Sequence, residues 1–194
     1  MPNYRYNDNV PTPSDRPPVG TAPTTAPEAP LRCDIQTADV SRVAEVVHLL
    51  KGVSQWLIDR DLGHWSIDEF RLEDFLAAAE AGELIVGLED GACAATMLLQ
   101  SMDSLYWPTE PPMAALYIHK LAVRRASAGR QWSARMIQWA EAAARARAIA
   151  RLRLDTVLGP VLRRLYESYG FICVDRYPIQ VGAFPVIRME RILT

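Results

Sequence analysis

Three arginines and several small residues lie between a strand-like and a helix-like stretch at residues 121 to 134, Leu-Ala-Val-Arg-Arg-Ala-Ser-Ala-Gly-Arg-Gln-Trp-Ser-Ala. The apolar start predicts the end of a strand, and the Ala- and Arg-rich continuation predicts a helix that begins near Gln131. The first N–H groups of a helix have no partner within it and point outward, where the helix dipole adds partial positive charge. The segment therefore suits an anion, although an ordinary strand–helix turn with solvated arginines has the same composition.

His119 is one of only three histidines and lies on the strand that leads into this turn. Strand alternation places it on one face with Tyr117 and Leu121. An imidazole, whose ordinary pKa is about 6.5, can accept a proton near neutral pH, whereas a half-buried histidine that only makes hydrogen bonds is the alternative. Asp155, which lies near the end of another predicted strand, is a second candidate base, although carboxylates at strand ends often cap or pair.

The elements that must position these residues follow from hydrophobic periodicity, caps and turn residues. A capping box of Ser66 and Glu69 predicts a helix up to Ala81, and Glu89-Asp-Gly91 predicts the turn of a hairpin. The predicted order is a strand at 31–35, helices from about 39 and from 66, strands at 83–88, 92–99 and 115–123, a helix at 131–148, a strand at 151–157, a helix at 160–170, and strands at 171–174 and 186–192.

The composition predicts one folded domain. The chain has 194 residues, 49% of them apolar, and residues 1–30 hold eight of the fourteen prolines, which predicts a disordered arm followed by a domain at 31–194. The net charge is −2, but residues 1–110 carry −11 and residues 111–194 carry +9. Three distant cysteines predict neither a disulfide framework nor a metal site. Without a signal peptide or an apolar run of about 18 residues, we expect a cytoplasmic protein that does not enter membranes.

Residues 31–194 resemble the GNAT superfamily of acetyl-coenzyme A-dependent N-acetyltransferases. The resemblance lies in the element order and in three segments, Tyr117–Arg125, Ala128–Ser133 and Leu165–Phe171, of which the last, with its Tyr-x-x-x-Gly-Phe ending, is the most distinctive. It implies a mixed α/β (α+β) fold with about four helices around a central, mostly antiparallel sheet. That sheet is splayed between the strand ending at Val123 and the strand at 151–157.

The resemblance also implies roles for residues of the site. Tyr166 matches the tyrosine that protonates the leaving thiolate. Tyr117 and His119 occupy the positions of a histidine pair that helps carry the amine's proton away in the arylalkylamine acetyltransferases of this superfamily; His119 matches that pair and Tyr117 departs from it. The resemblance implies that the strand end holds the pantetheine arm of acetyl-CoA and that the loop and helix start hold its phosphates. The acceptor contacts are expected from the residues themselves, because aromatic and acidic side chains suit a cationic amine. The expected cofactor-binding residues are Leu121, Ala122, Val123, Arg124, Gly129, Arg130, Gln131, Trp132, Ser133 and Ala134, and the expected acceptor-binding residues are Trp107, Tyr117 and Asp155.

The resulting expectation is direct transfer of an acetyl group from acetyl-CoA to a small-molecule primary amine in a ternary complex, by a monomer or homodimer. One alternative is a non-catalytic acyl-CoA sensor or scaffold, because Ala128 and Gln131 replace residues of the family's Arg- or Gln- and Gly-containing loop. The other is an interaction module for protein or nucleic acid that uses the Arg-rich half. Nucleic-acid binding is not expected, because no aromatic residues interleave with Arg145, Arg147, Arg151 and Arg153.

Overall fold

The structure is a computed structural model that describes residues 32–62, 65–181 and 184–194. The predicted proline-rich arm, residues 1–30, lies outside the described residues. The strands and helices are β1 (Cys33–Thr37), α1 (Val43–Ile58), α2 (Leu72–Glu80), β2 (Leu84–Glu89), β3 (Ala92–Gln100), β4 (Leu116–Val123), α3 (Trp132–Ala146), β5 (Arg151–Val157), α4 (Pro160–Ser168), β6 (Ile172–Cys173), β7 (Ile179–Val181) and β8 (Phe184–Ile192).

The strands form one sheet in the order β1-β2-β3-β4-β5-β8-β6, and β7 also pairs with β8. All neighbours are antiparallel except β4 and β5, whose parallel pairing covers only Leu116–Ile118 and Leu152–Leu154. Beyond Ile118 the two strands diverge, while β5 stays paired with β8 along its length. The mostly antiparallel, splayed sheet expected from the sequence is therefore confirmed.

Helices cover both faces of the sheet. α1 and α2 pack on one face, where Leu84, Val86 and Leu88 of β2 contribute to their buried cluster. α3 packs on the other face, with Phe171 and the partly buried Tyr166 beside it. Alternate residues of one strand thus serve two cores, because successive side chains point to opposite faces.

Gly87 lets α3 approach the sheet closely. A Cβ at this position would lie only 2.5 Å from a ring carbon of Trp132, the first residue of α3. Trp132 is almost fully buried. The contact therefore fixes the start of α3 against β2.

A β-bulge interrupts β4. Leu98 pairs with His119 and Thr96 with Ala122, so that two residues of β4 oppose the single Met97 of β3. Lys120 carries the bulge with a positive φ of 51°.

The bulge reverses which face the following residues occupy. Leu121 packs in the α3 cluster with Leu116 and Ile118. The expectation that Leu121 shares a strand face with Tyr117 and His119 is therefore wrong, because the extra residue shifts the alternation after His119.

Two local expectations also differ from the structure. Ser66 and Glu69 do form a capping box, but it closes the short 3-10 turn Ile67–Glu69, and α2 starts only at Leu72. The backbone of Phe70, with ψ of 78°, separates the two. The three-residue strand β7 was not predicted, since so short a segment gives little periodicity.

Candidate active site

The loop between β4 and α3 forms an open helix start. After Val123 the chain makes a 3-10 turn at Arg125–Ser127 and passes through Gly129, with φ of 81°, to Gln131, with φ of 59°. Among the described residues, no acceptor binds the N–H groups of residues 131 to 134, and the first bond at this end runs from Arg135 N–H to the Gln131 carbonyl, 3.1 Å. Four consecutive N–H groups and the helix dipole therefore point at the same space.

A buried carboxylate lies beneath this loop. Glu89, at the end of β2, is 6% exposed, and its Oε1 lies 2.6 Å from Nη1 of Arg130. Its Oε2 accepts a hydrogen bond from the Ser127 hydroxyl at 2.8 Å and lies 3.7 Å from Nη2 of Arg124. The hydrogen bonds from Arg130 and Ser127 lower the pKa of Glu89. Glu89 thus orients both arginines at the loop, a role that the sequence analysis missed.

A wedge opens beside the strand end. Because the pairing of β4 with β5 ends at Ile118, no strand of the described part of the chain pairs with the edge of β4 that faces β5 over residues 119–123. The opposite edge remains bonded to β3. Leu121, Ala122 and Val123 therefore border a gap that an extended ligand can enter as an added strand.

Two aspartates flank His119 on the opposite face of the sheet from α3. Nε2 of His119 lies 3.5 Å from Oδ2 of Asp103, and Nδ1 lies 3.4 Å from Oδ1 of Asp155. Asp103 comes from the loop after β3. Asp155 lies on β5, two residues after Arg153 and on the same strand face, and Arg153 pairs with Tyr117 of β4. The side chains of His119 and Asp155 are 16% and 17% exposed, so both lie near the surface of the cleft.

Tyr106 completes this group. Its ring stacks on the imidazole with centroids 6.3 Å apart, and its hydroxyl hydrogen-bonds Asp155. Burial, with the charges of Asp155 and Asp103, raises the pKa of Tyr106 to about 12. The hydroxyl therefore stays protonated at neutral pH.

Potential metal ligands also meet here, because one donor atom from each of Asp103, His119 and Asp155 lies within 4.8 Å of the others. The two carboxylates lie closest to different nitrogens of the His119 ring, Asp103 to Nε2 and Asp155 to Nδ1. One carboxylate beside each ring nitrogen is also an arrangement that suits proton transfer through the imidazole.

Tyr166, on α4, contacts the α3 cluster and packs its ring edge-on against Phe171, with centroids 6.0 Å apart. Burial raises the pKa of Tyr166, and the charge of Asp155 adds to the effect. The assigned role of Tyr166 stays a prediction.

Two of the three residues expected to contact the acceptor are buried. Tyr117 is 1% exposed and its hydroxyl accepts a hydrogen bond from Arg153 at 3.3 Å. Trp107 is 6% exposed, with its ring 6.1 Å from that of Tyr117 and the Arg153 guanidinium 4.1 Å from its ring centroid. Only Asp155 reaches the cleft beside His119, and direct contact by the other two stays a prediction.

A splayed sheet with an open helix start at one end of its gap and an imidazole at the other defines a GNAT-type acetyltransferase. The model of the Acetyltransferase (GNAT) family matches residues 50–171. The uncharacterized N-acetyltransferase YesJ of Bacillus subtilis (strain 168) is 30% identical over 133 residues, which are 65% of this chain and 74% of YesJ. The chain belongs to the Acetyltransferase (GNAT) family, and the expected enzyme class is confirmed.

Solved structures show the same fold. A GNAT family acetyltransferase from Listeria monocytogenes 4b F2365 aligns with a TM-score of 0.66 and 24% identity, over 81% of this chain and 94% of that one. The PaiA N-acetyltransferase from Thermoplasma acidophilum, in complex with coenzyme A, aligns with a TM-score of 0.66 and 12% identity, over 83% and 99%. Along the described part of this chain, every helix is too short or too polar to cross a membrane.

Proposed function

We propose that this enzyme transfers an acetyl group from acetyl-CoA to a primary amine of a small molecule, directly within a ternary complex. The observation that carries the proposal is the wedge between β4 and β5, with open N–H groups of residues 131–134 at one end and His119 beside Asp155 at the other. Such a gap can align a thioester with an amine, which lowers the entropy cost of their encounter.

The loop residues bind the phosphates of acetyl-CoA. The N–H groups of Gln131, Trp132, Ser133 and Ala134 donate to the diphosphate, Gly129 lets the loop turn toward it, and Arg124 and Arg130 add positive charge. The main-chain groups of Leu121, Ala122 and Val123 bind the pantetheine arm and polarise the thioester carbonyl.

His119 and Tyr166 carry the proton transfers. His119 takes a proton from the acceptor amine, directly or through water, so that the nitrogen lone pair can attack the carbonyl carbon. As the C–S bond breaks, the Tyr166 hydroxyl donates to the departing sulfur. Its raised pKa keeps the hydroxyl protonated until the negative charge develops on sulfur.

The acceptor site favours a cation. Asp155 and Asp103 place two carboxylates around His119, whereas Lys120, next along β4, is already paired with Glu69. We therefore expect the acceptor to arrive as a protonated amine. Asp155 contacts the acceptor amine, and the buried Trp107 and Tyr117 form the floor of the acceptor site.

Calorimetry with acetyl-CoA and a thiol-release assay over a panel of amines test this function. Arg130→Gln should weaken acetyl-CoA binding about tenfold through loss of one charge-assisted contact. Arg147→Gln makes the same change at the far, exposed end of α3 and should leave the affinity unchanged. Equal affinities in both variants would contradict the assigned phosphate site.

The same assays separate the alternatives. Binding without turnover of any amine supports a non-catalytic acyl-CoA sensor. Absence of binding at millimolar acetyl-CoA, together with a salt-dependent affinity for nucleic acid, supports an interaction module. The cytoplasmic location and the monomeric or homodimeric state stay predictions.

A further inference from the structure

One carboxylate oxygen of Asp103 receives no hydrogen bond from the part of the chain that the structure describes. Its side chain is 5% exposed, and Oδ1 accepts N–H bonds from Leu105 at 3.1 Å and Tyr106 at 3.0 Å. Oδ2 is buried and finds no hydrogen-bond partner among the described residues. An unpaired buried acceptor is costly, and the polar group that faces Oδ2 is Nε2 of His119, at 3.5 Å.

Asp155 is differently placed, because it already has a donor. The Tyr106 hydroxyl hydrogen-bonds its carboxylate, while its Oδ1 lies 3.4 Å from Nδ1 of His119. A neutral imidazole carries only one N–H, so only one of the two carboxylates can receive it. The carboxylate of Asp103, which lacks any other donor for Oδ2, gains more from that hydrogen.

We propose that Asp103 is a positioning residue that holds His119 as its Nε2–H tautomer, so that Nδ1, together with Asp155, receives the protonated primary amine of the acceptor. This inference rests on the function proposed above. Without a ligand, the Nδ1 lone pair and the Asp155 oxygen are two acceptors 3.4 Å apart and repel each other. A primary ammonium group relieves that repulsion, because it can donate one N–H to each.

The proton balance follows directly. The ammonium group gives one proton to Nδ1 and becomes a neutral amine, and His119 becomes an imidazolium with Nε2–H on Asp103 and Nδ1–H on Asp155. The amine then forms the C–N bond as the C–S bond breaks, and the Tyr166 hydroxyl protonates the departing thiolate. The nitrogen, now carrying one proton more than an amide, gives that proton back to Tyr166, directly or through water, while the first proton stays on His119 until solvent removes it. The neutral ring gives an N–H to Asp103 alone, whereas the imidazolium gives one N–H to each carboxylate, which stabilises the protonated base.

The loop that carries Asp103 is fixed from two strands. Nη1 of Arg188, on β8, donates to the Tyr106 carbonyl at 2.9 Å, and Nη2 of Arg188 lies 2.6 Å from Asp175 Oδ1. The Trp107 ring lies beside two guanidinium groups, with Arg188 at 4.7 Å and Arg153 of β5 at 4.1 Å from its centroid. Trp107 therefore acts on the acceptor site by holding this loop in place.

Nitrogen NMR of the ¹⁵N-histidine-labelled full chain tests the tautomer. At alkaline pH, where imidazoles are neutral, the wild-type His119 signals, assigned with His119→Gln, should show a protonated Nε2 and an unprotonated Nδ1. In Asp103→Asn the amide can donate to Nε2, so the signals should change to the Nδ1–H tautomer. An Nδ1–H tautomer in the wild-type protein, or no change in Asp103→Asn, would overturn the proposal.

Kinetics give the second measurement. Asp103→Asn should lower kcat about 100-fold or more, with the KM for the amine and the affinity for acetyl-CoA changed less than threefold, as expected when the base has the wrong tautomer. Asp34→Asn, the same change on exposed β1, is the matched control. If Asp103→Asn retains its kcat, this inference is refuted and the proposed function stands. If the wild-type protein shows the Nε2–H tautomer of His119 but acetylates no amine, only the proposed function is refuted.

Discussion

Glycine in place of Gln131 should stabilise the fold. Gln131 holds left-handed backbone angles, φ 59° and ψ 23°, at the start of α3, and its side chain makes no capping hydrogen bond. A side chain in this conformation costs roughly 1–2 kcal/mol, which glycine avoids. Glycine also raises the entropy of the unfolded chain, which costs roughly 0.4–1 kcal/mol. The difference leaves a gain of about 0.5–1 kcal/mol in the free energy of unfolding.

Gln138 offers a matched control on the same helix. It is exposed in the interior of α3, where Gln→Gly should cost roughly 0.5–1 kcal/mol because glycine is a poor helix former. The two variants should therefore differ by about 1–2 kcal/mol, or roughly 2–8 °C in Tm for a domain of this size. Urea and thermal unfolding measure both quantities. Equal destabilisation by the two substitutions would refute the backbone argument.

The same variant tests how the phosphates are bound. Gln131→Gly keeps the N–H group of residue 131, so its Kd for acetyl-CoA should stay within about threefold of the wild-type value if main-chain groups make the contact. A tenfold loss of affinity would assign the contact to the Gln131 side chain.

Three further outcomes are expected. Tyr166→Phe should lower kcat by 10- to 1000-fold at unchanged acetyl-CoA affinity, with the exposed Tyr177→Phe as control; unchanged turnover would remove the assigned role. Because the pKa of Glu89 is lowered in the folded state, its stabilising charge is present at neutral pH and lost as the pH falls below about 4. The Tm gap between wild type and Glu89→Gln should accordingly narrow toward pH 3, and a constant gap would contradict this. Maleimide should label exposed Cys33, which lines a cavity of about 470 Å³ with Arg130 and Gln131, more slowly when acetyl-CoA is bound. Cys93, whose pKa burial raises to about 12, should not react in either state.

Local signals in the sequence account for most of the elements. The hairpin turn is an example, because Asp90 and Gly91 both adopt the positive φ, 50° and 86°, that their residue types favour. The strand limits of β2 and β3 follow from that turn within one residue. The loop at Gln131 was also found locally, because arginines, small residues and a helix start are consecutive in the chain.

Contacts between distant residues could not be predicted in this way. Glu89 is the last residue of an apolar strand, and only its approach to Arg124 and Arg130, more than 30 positions later, gives it a role at the loop. Asp103 resembles an ordinary loop aspartate until the sheet brings His119 beside it. The local signal for Glu89 was a charged residue at the end of a buried strand, and a solvent-exposed turn can follow a strand in the same way.

The bulge at Lys120 divides β4 into two segments with different proposed roles. Without it, residues 117, 119, 121 and 123 would share a face, and the segment proposed to bind pantetheine would continue the alternation of His119. The inserted residue instead places Leu121 and Val123 toward α3 while His119 remains on the face of Asp103 and Asp155. The bulge also bends β4 just after its last pair with β5, at Ile118. One inserted residue thus separates the strand end that we propose to bind the acetyl donor from His119, the proposed base, and keeps the two within a few residues of each other on β4.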